Sequence, residues 1–294
     1  MEQENNKSFI KKLIKILVII TIIICSILLY SRYISTKGLI VKEYKVVNNK
    51  ITDNFHGLKI VHISDIHYGT TIYKKELTKI VNKINELKPD IVVLTGDLLD
   101  NAAKEIKNYE KELISILSKI DCTIGKYAIS GNHDYDFKNF NNIIEQSGFI
   151  NLNDNYDKIY KENNNYILLS GISTNMHGDK KLTEKIQSTN DFLASIPEEE
   201  NKNLYKILLV HEPDIIDDIN IEYDLILAGH SHNGQVRLPI IGALKKIELA
   251  QKYYDPYYKI GNTDLYISGG LGTSTLKFRF FNKPSINFYR ITNK

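Results

Sequence analysis

The 294-residue sequence predicts an α/β domain with two sheets sandwiched between helices, behind one N-terminal membrane-spanning helix. Three observations carry this. From Leu58 to Asp134, short apolar runs alternate with amphipathic stretches, the pattern of βαβαβ units with buried parallel strands. Beyond Tyr166 the chain is richer in strands. At the N-terminus, Ile16 to Ser31 carries no charge and is mostly Ile, Leu and Val.

The N-terminal run is slightly short of the ~20 residues that span a bilayer. Lys15 and Arg32 extend it by snorkelling at its two edges. We expect a tail at 1–15, a transmembrane helix at 16–32, a tether and incoming strand at 33–57, and one domain at 58–294. A cleavable signal peptide is the rival reading, but the run is long for one and no small-x-small site follows. A lipoprotein signal fails because Ile24, not a small residue, precedes Cys25. A buried core helix fits the charge-free length poorly. Lys7, Lys11, Lys12 and Lys15 precede the run, and Arg32, Lys37, Lys42 and Lys45 follow it. The leading cluster lies closer, which favours a single-pass protein of the cell membrane with its domain outside the cytoplasm.

The elements follow in order. Leu58 to Ile63 is an apolar strand closed by Ser64-Asp65-Ile66-His67. Leu77, Ile80, Val81, Ile84 and Leu87 recur at helical spacing, and Pro89 stops that helix. Ile91 to Leu94 is the second strand, ending in Thr95-Gly96-Asp97. A second amphipathic helix holds Ile106, Leu113, Ile116, Leu117 and Ile120. The third strand, Tyr127 to Ser130, runs into Gly131-Asn132-His133-Asp134. Tyr166 to Ile172 and Leu204 to Val210 read as strands, with a helical stretch from about Lys181 to Ser195 between them. Leu225 to Ala228 is a strand ending in Gly229-His230-Ser231-His232. Gln235 to Leu238, Tyr253 to Tyr258, Leu265 to Ser268 and Ile286 to Ile291 suggest shorter antiparallel strands.

Composition excludes several classes. With 43% hydrophobic and 25% charged residues, most of the chain reads as an ordinary globular protein. A net charge of +3, with no basic arm or stripe, disfavours nucleic acid as a partner. Cys25 lies in the apolar run, so it and Cys122 form no disulfide framework, and neither has zinc-thiolate spacing.

Polar clusters sit at strand ends, where α/β sheets form their active crevice. They are Asp65-x-His67, Gly96-Asp97, Gly131-Asn132-His133-Asp134, His211 and Gly229-His230-x-His232. Asp-x-His and His-x-His put two side chains on one face, because alternate residues point the same way. Mixed nitrogen and oxygen donors suit Mn, Fe, Zn or Ni rather than calcium. Two ions about 3.5–4 Å apart clamp a phosphoryl group and generate a hydroxide at neutral pH. Blander readings exist for each piece. His56 and His62 read as structural, Asp100 and Asp134 as turn or cap residues, and His177 as a solvated loop residue. A lone His211 would read as a core residue. The joint pattern favours the metal.

This set of motifs resembles the calcineurin-like metallophosphoesterases over residues about 58 to 233. The resemblance implies a four-layer αββα sandwich and a dinuclear centre of two divalent ions, Mn, Fe or Zn. It implies Asp65, His67, Asp97 and His232 on one ion, and Asp97, Asn132, His211 and His230 on the other. It implies a bridging hydroxide as nucleophile, His133 as general acid rather than ligand, and Asp134 as its orienting partner. Leu209-Val210-His211-Glu212-Pro213-Asp214 and Ser268-Gly269-Gly270-Leu271-Gly272-Thr273 resemble the bacterial membrane-associated branch. That branch includes enzymes similar to UDP-diacylglucosamine pyrophosphatases. Many relatives carry Arg where Gly269 stands, so a phosphate-contacting cation is expected to be missing.

The expected function is metal-dependent hydrolysis of a phosphorylated small-molecule or lipid-linked substrate, a phosphodiester or pyrophosphate of the envelope. The rivals are a nuclease on the same fold, disfavoured by the lack of a basic groove with interleaved aromatics, and a non-catalytic metal scaffold, which would not need His133 and Asp134. Leu238, Ile240, Ile241 and Leu244, with Tyr253, Tyr254, Tyr257 and Tyr258, read first as sheet faces. Exposed, they would instead form an amphipathic rim suited to lipid-linked phosphates.

Overall fold

In the computed structural model, which describes residues 2–162, 164–178 and 180–294, the apolar runs become strands whose alternate residues face different layers. The elements in the first half are α1 (Glu2–Leu29), β1 (Ile40–Val47), β2 (Leu58–Ile63), α2 (Lys74–Glu86), β3 (Ile91–Thr95), α3 (Tyr109–Leu117), β4 (Gly125–Ile129), α4 (Phe140–Gln146) and β5 (Phe149–Asn151). There follow β6 (Asn155–Tyr160), β7 (Tyr166–Gly171), α5 (Leu182–Lys185), α6 (Gln187–Ser195), α7 (Glu198–Asn203), β8 (Lys206–Val210) and β9 (Leu225–Ala228). The chain ends with β10 (Arg237–Leu238), β11 (Gly242–Ala243), β12 (Tyr257–Ile260), β13 (Thr263–Ile267) and β14 (Ser285–Thr292).

Two six-stranded sheets form, in the orders β1-β14-β2-β3-β4-β5 and β12-β13-β9-β8-β7-β6. Val61 and Ile63 of β2, with Val92 and Leu94 of β3, pack on α2, α3 and α4. Their alternates Leu58, Ile60, Ile91 and Val93 face Ile207, Leu209, Leu225 and Leu227 of the second sheet. On its far side, Leu208, Val210, Ile226 and Ala228 meet Ile186 and Ile215. The layers are therefore helix, sheet, sheet, helix, as expected. Each fully buried aliphatic side chain contributes roughly 1.5–3 kcal/mol, so reversing the alternation in one central strand would expose several such groups.

The second half departs from the expected antiparallel run. β13 pairs parallel with β9, while β12 pairs antiparallel with β13 and β10 with β11. β14 crosses to the first sheet, antiparallel to β2 and parallel to β1. These long-range pairings leave no local signal, because alternation specifies a face and not a partner. The expected strand from Tyr253 shrinks to β12, while Gln235 to Leu238 contributes only the two-residue β10. The second helix is also shorter than its apolar period: Ile106 and Ile120 flank α3, because Asn108 is left-handed (φ 59°) and starts a new helix.

The expected tail is helical from Glu2, since no Gly or Pro interrupts the chain before Gly38. The helical segment is long and apolar enough to cross a membrane. Beyond Leu29 it widens into a π turn at Tyr30–Ile34 and then a 3-10 turn at Ser35–Lys37. These turns dock on the domain. Ser31, Ser35 and Thr36 are buried, Arg279 N–H donates to the Ser31 carbonyl (3.0 Å), and the Tyr30 ring meets Phe280 edge-on at 6.3 Å.

Candidate metal centre

Parallel β2, β3 and β4 and parallel β8 and β9 deliver their carboxyl ends to one place. The two sheets are joined there. His211 Nδ1–H, after β8, donates to the Thr95 carbonyl at the end of β3 (2.7 Å), and His230 N–H, after β9, donates to Asp65 Oδ1 (3.0 Å). Gly96 and Gly131 let the neighbouring turns touch: a Cβ at Gly96 would lie 2.5 Å from Gly131 N.

The backbone is unusual at these ends. Asp65, His67, Asp97, His230 and His232 all adopt positive φ, between 43° and 64°. Such conformations cost free energy in residues bearing a Cβ and cluster at functional sites. They aim the side chains inward instead of continuing the strands.

Two groups of buried donors result. Asp65, His67 and His232 form one, and Asp97, His211 and His230 the other, each with ligand atoms within 4.8 Å of one another. Asp97 Oδ2 links them, at 3.4 Å from both His67 Nε2 and His211 Nε2. His67 Nε2 and His232 Nε2 lie 3.1 Å apart. Asn132 Oδ1 joins the second group, 3.2 Å from His211 Nε2. Asp97 Oδ1 accepts from His133 N–H (2.8 Å), which fixes the carboxylate between the groups.

The donors fit two divalent ions. Asp65 Oδ2 is buried without a hydrogen-bond partner. Such an atom is costly unless a cation completes it. The His211 N–H on Thr95 and the His230 Nε2–H on the Glu248 carbonyl (2.8 Å) occupy one nitrogen of each ring. The other nitrogen of each is left as an electron-pair donor. Burial works against the charge of Asp97, but His211, His67 and His133 outweigh it and hold the carboxyl well below its usual range.

Residues 58–234 match the calcineurin-like phosphoesterase family, which is more than half of the chain. The protein belongs to this family. As a calcineurin-like phosphoesterase it is a hydrolase of phosphoric ester bonds. An uncharacterised metallophosphoesterase of Bacillus subtilis is 29% identical over 89% of this chain and 88% of its own. One from Campylobacter jejuni is 31% identical over 86% of this chain and 64% of its own. A Danio rerio protein described as a transmembrane protein with a metallophosphoesterase domain is 26% identical over 84% of this chain and 56% of its own.

In this calcineurin-like site, one expected relationship changes. Asp134 does not face His133. Its Oδ1 accepts from Leu99 N–H and its Oδ2 from Gly131 N–H, both at 2.9 Å. Burial, with Asp97 nearby, pushes it up to about 7 despite those two donors. The carboxylate beside His133 belongs to Asp100, whose Oδ2 lies 3.4 Å from His133 Nδ1 and 3.5 Å from His67 Nδ1. Asp100 Oδ1 also accepts from Ala102 N–H (3.1 Å), so the turn role read for it holds as well. Three residues after Asp97, its place in that block was the one available signal.

One further residue beside the site gave no signal in the sequence. Arg279 is fully buried, donating to the carbonyls of Gly269 (2.8 Å) and Gly272 (2.6 Å), with Nη2 3.3 Å from His232 Nδ1. A guanidinium thus stands beside the site although Gly269 carries none. His177 stacks on Tyr135 (4.1 Å) and its Nε2–H donates to the Asn132 carbonyl (2.9 Å), so it is not a free loop residue. His62 is buried between Thr95 and Tyr289, and burial lowers it to about 3. It stays neutral in the sheet.

Proposed function

We propose that the chain hydrolyses a phosphodiester or pyrophosphate, lipid-linked or otherwise of the cell envelope, with two divalent ions of the Mn, Fe or Zn type. The observation that carries the dinuclear reading is the single oxygen Asp97 Oδ2, equidistant from imidazoles of both groups. Asp65, His67, Asp97 and His232 would hold one ion, and Asp97, Asn132, His211 and His230 the other. When bound, such ions supply an activated water and neutralise charge on the phosphoryl oxygens.

The chain's own contribution is position and a proton. His133, whose side chain is 29% exposed, stands at the edge of the buried donors. Asp100 accepts from its Nδ1–H and so favours the imidazolium, whose Nε2–H is the proton that passes to the leaving oxygen. Asp134 fixes the turn that presents His133. The lipid-linked substrate is supported by a cavity of about 410 Å³ next to His232, walled by Val236, Leu244, Ile247 and Leu276. That wall suits a hydrocarbon better than a soluble headgroup.

In this reading α1 crosses the membrane once, with the domain outside. The clustered leading lysines support it, and the Danio rerio relative is itself described as transmembrane. The decisive experiment loads the full chain with Mn and screens lipid-linked and soluble phosphodiesters, pyrophosphates and monoesters. Turnover that is lost with chelator and favours the lipid-linked members is expected. Equal turnover of soluble analogues overturns the substrate class. A C-terminal alkaline phosphatase fusion reports the orientation and is expected to be active.

A further inference from the structure

The apolar part of α1 gives way at Tyr30 to the turn that docks on the loop before β14. Several apolar side chains fan out from that junction. Phe281 stacks edge-on against Phe280 (4.5 Å) and is 65% exposed. Leu276 is 60% exposed, and at the β10–β11 tip Ile240 is wholly exposed and Ile241 71%. A shallow depression lined by Leu238, Pro239, Ile240 and Phe281 connects the tip to the junction. Ile240 has φ 70°, a conformation that β-branched residues rarely adopt. The turn therefore holds an isoleucine outward at a conformational cost. Isolated apolar residues on a surface need no explanation, but a contiguous group does. The expectation that this stretch forms sheet faces is corrected for Ile240, Ile241 and Leu244, while Tyr253 is buried.

Cations gather at the same level. A pocket of about 450 Å³ lies between Tyr30 and the loop, lined also by Ser35, Lys42, Phe281, Asn282 and Lys283. Ser35 Oγ is buried there without a hydrogen-bond partner. Burial first, then the charges of Arg279 and Arg237, lowers Lys42 to about 8, so the charges acting on it are those of cations. Among the described residues that line this pocket, none is acidic.

We propose that the β10–β11 tip, Leu276 and Phe281 insert into the bilayer that α1 crosses, and that the Lys42–Lys283 pocket takes a lipid phosphate group of that bilayer. The occupant follows from two features. The patch is continuous with the end of the apolar helix, and the pocket is complementary in charge to anionic headgroups. The metal centre's apolar cavity shares Leu276 with the patch, so it opens at the membrane surface. This inference rests on reading α1 as the membrane span.

The chain contains no Trp, so single-Trp variants of the full protein report position. Ile241→Trp, Phe281→Trp and Tyr160→Trp, the last an exposed residue at the end of β6 as control, are reconstituted in vesicles of phosphatidylcholine and phosphatidylglycerol with brominated lipid. Emission at 241 and 281 should shift to the blue and be quenched several-fold more than at 160. Replacing phosphatidylglycerol by phosphatidylcholine should weaken that quenching, and Lys42→Gln with Lys283→Gln should remove the dependence on anionic lipid. Equal quenching at all positions, or a blue shift without quenching because a second copy covers the patch, overturns the proposal. A double lysine variant that keeps the anionic dependence overturns the phosphate site. A chain that fails to float with vesicles overturns both the span and the seat, whereas one that floats without quenching at 241 and 281 overturns the seat alone. None of these readings uses hydrolysis, so they stand apart from the test of the catalytic assignment.

Discussion

Asp100 Oδ2 faces two imidazoles at once, His133 Nδ1 at 3.4 Å and His67 Nδ1 at 3.5 Å. Its other oxygen is held by the Ala102 amide, so the carboxylate cannot rotate away. Burial opposes its charge, but His67, the Ala102 amide and His133 hold the carboxyl below its usual range. A single side chain thus links the proposed acid to a proposed ligand. Asp134, although adjacent to His133 in sequence, serves the backbone of Leu99 and Gly131.

His133→Asn should keep both metals and lose roughly 10²–10⁴-fold on substrates with an alkoxide leaving group. An activated aryl leaving group needs no proton, so the loss there should be much smaller. Metal analysis and the two substrates on one variant decide it. An equal loss on both, or a missing metal, assigns His133 to another role.

Asp100→Asn should cost roughly 10–100-fold on the same alkoxide substrates, the usual range for a partner that orients a functional imidazole. It should act through His133. The double variant with His133→Asn should then be no slower than His133→Asn alone. Multiplying losses in that cycle would mean that Asp100 acts chiefly through His67.

Asp134→Ala should lower stability by about 1–3 kcal/mol for each buried amide left without an acceptor, those of Leu99 and Gly131. Asp134→Asn keeps one acceptor oxygen and should fall between the variant and the parent. Thermal melts of the three proteins at one pH test this ordering. A neutral effect of Asp134→Ala on the melt would remove its structural role.

Asp97→Asn removes the one negative charge lying between the two donor groups. Metal content per chain should fall from two ions toward fewer, and turnover should be abolished. Full occupancy with normal rates in this variant would refute the bridging assignment.

Lys42 carries its charge below about 8 and loses it above. The unfolded lysine titrates near 10.5, so the folded state releases the proton first. Raising the pH through about 8 should therefore weaken the anionic-lipid dependence of Trp quenching, since the pocket then loses the Lys42 charge. Lys42→Arg should show no such change over the same range. Identical pH profiles for the two proteins would contradict the role of Lys42.

The layers were legible because their cause is local. Leu58 to Ile63 and Leu225 to Ala228 matched the observed strands, since a continuous apolar run bounded by polar residues has few other uses. The clustering of candidate ligands was legible for the same reason, as strand ends in a parallel array must converge. Pairing partners were not legible: nothing in Ile286 to Ile291 says that β14 returns to the first sheet between β1 and β2. Arg279 was hidden because an arginine between aromatics usually reads as a surface residue, whereas here carbonyls of Gly269, Gly272 and Asn282 solvate it. The choice between Asp100 and Asp134 turned on side-chain direction, which adjacency in the chain does not determine.

The left-handed backbone at Asp65, His67, Asp97, His230 and His232 narrows what substitution can do here. Asp, Asn, His and Gly tolerate that conformation, and branched aliphatic residues do not. A change at one of these positions to Val or Ile would lose a donor and also misdirect the turn that carries its neighbours. A change to Asn would alter the donor and spare the turn. The site therefore has few gradual exits. Its descendants can trade one ion preference for another through Asp, Asn and His, but drift toward an apolar pocket would have to rebuild several strand ends together.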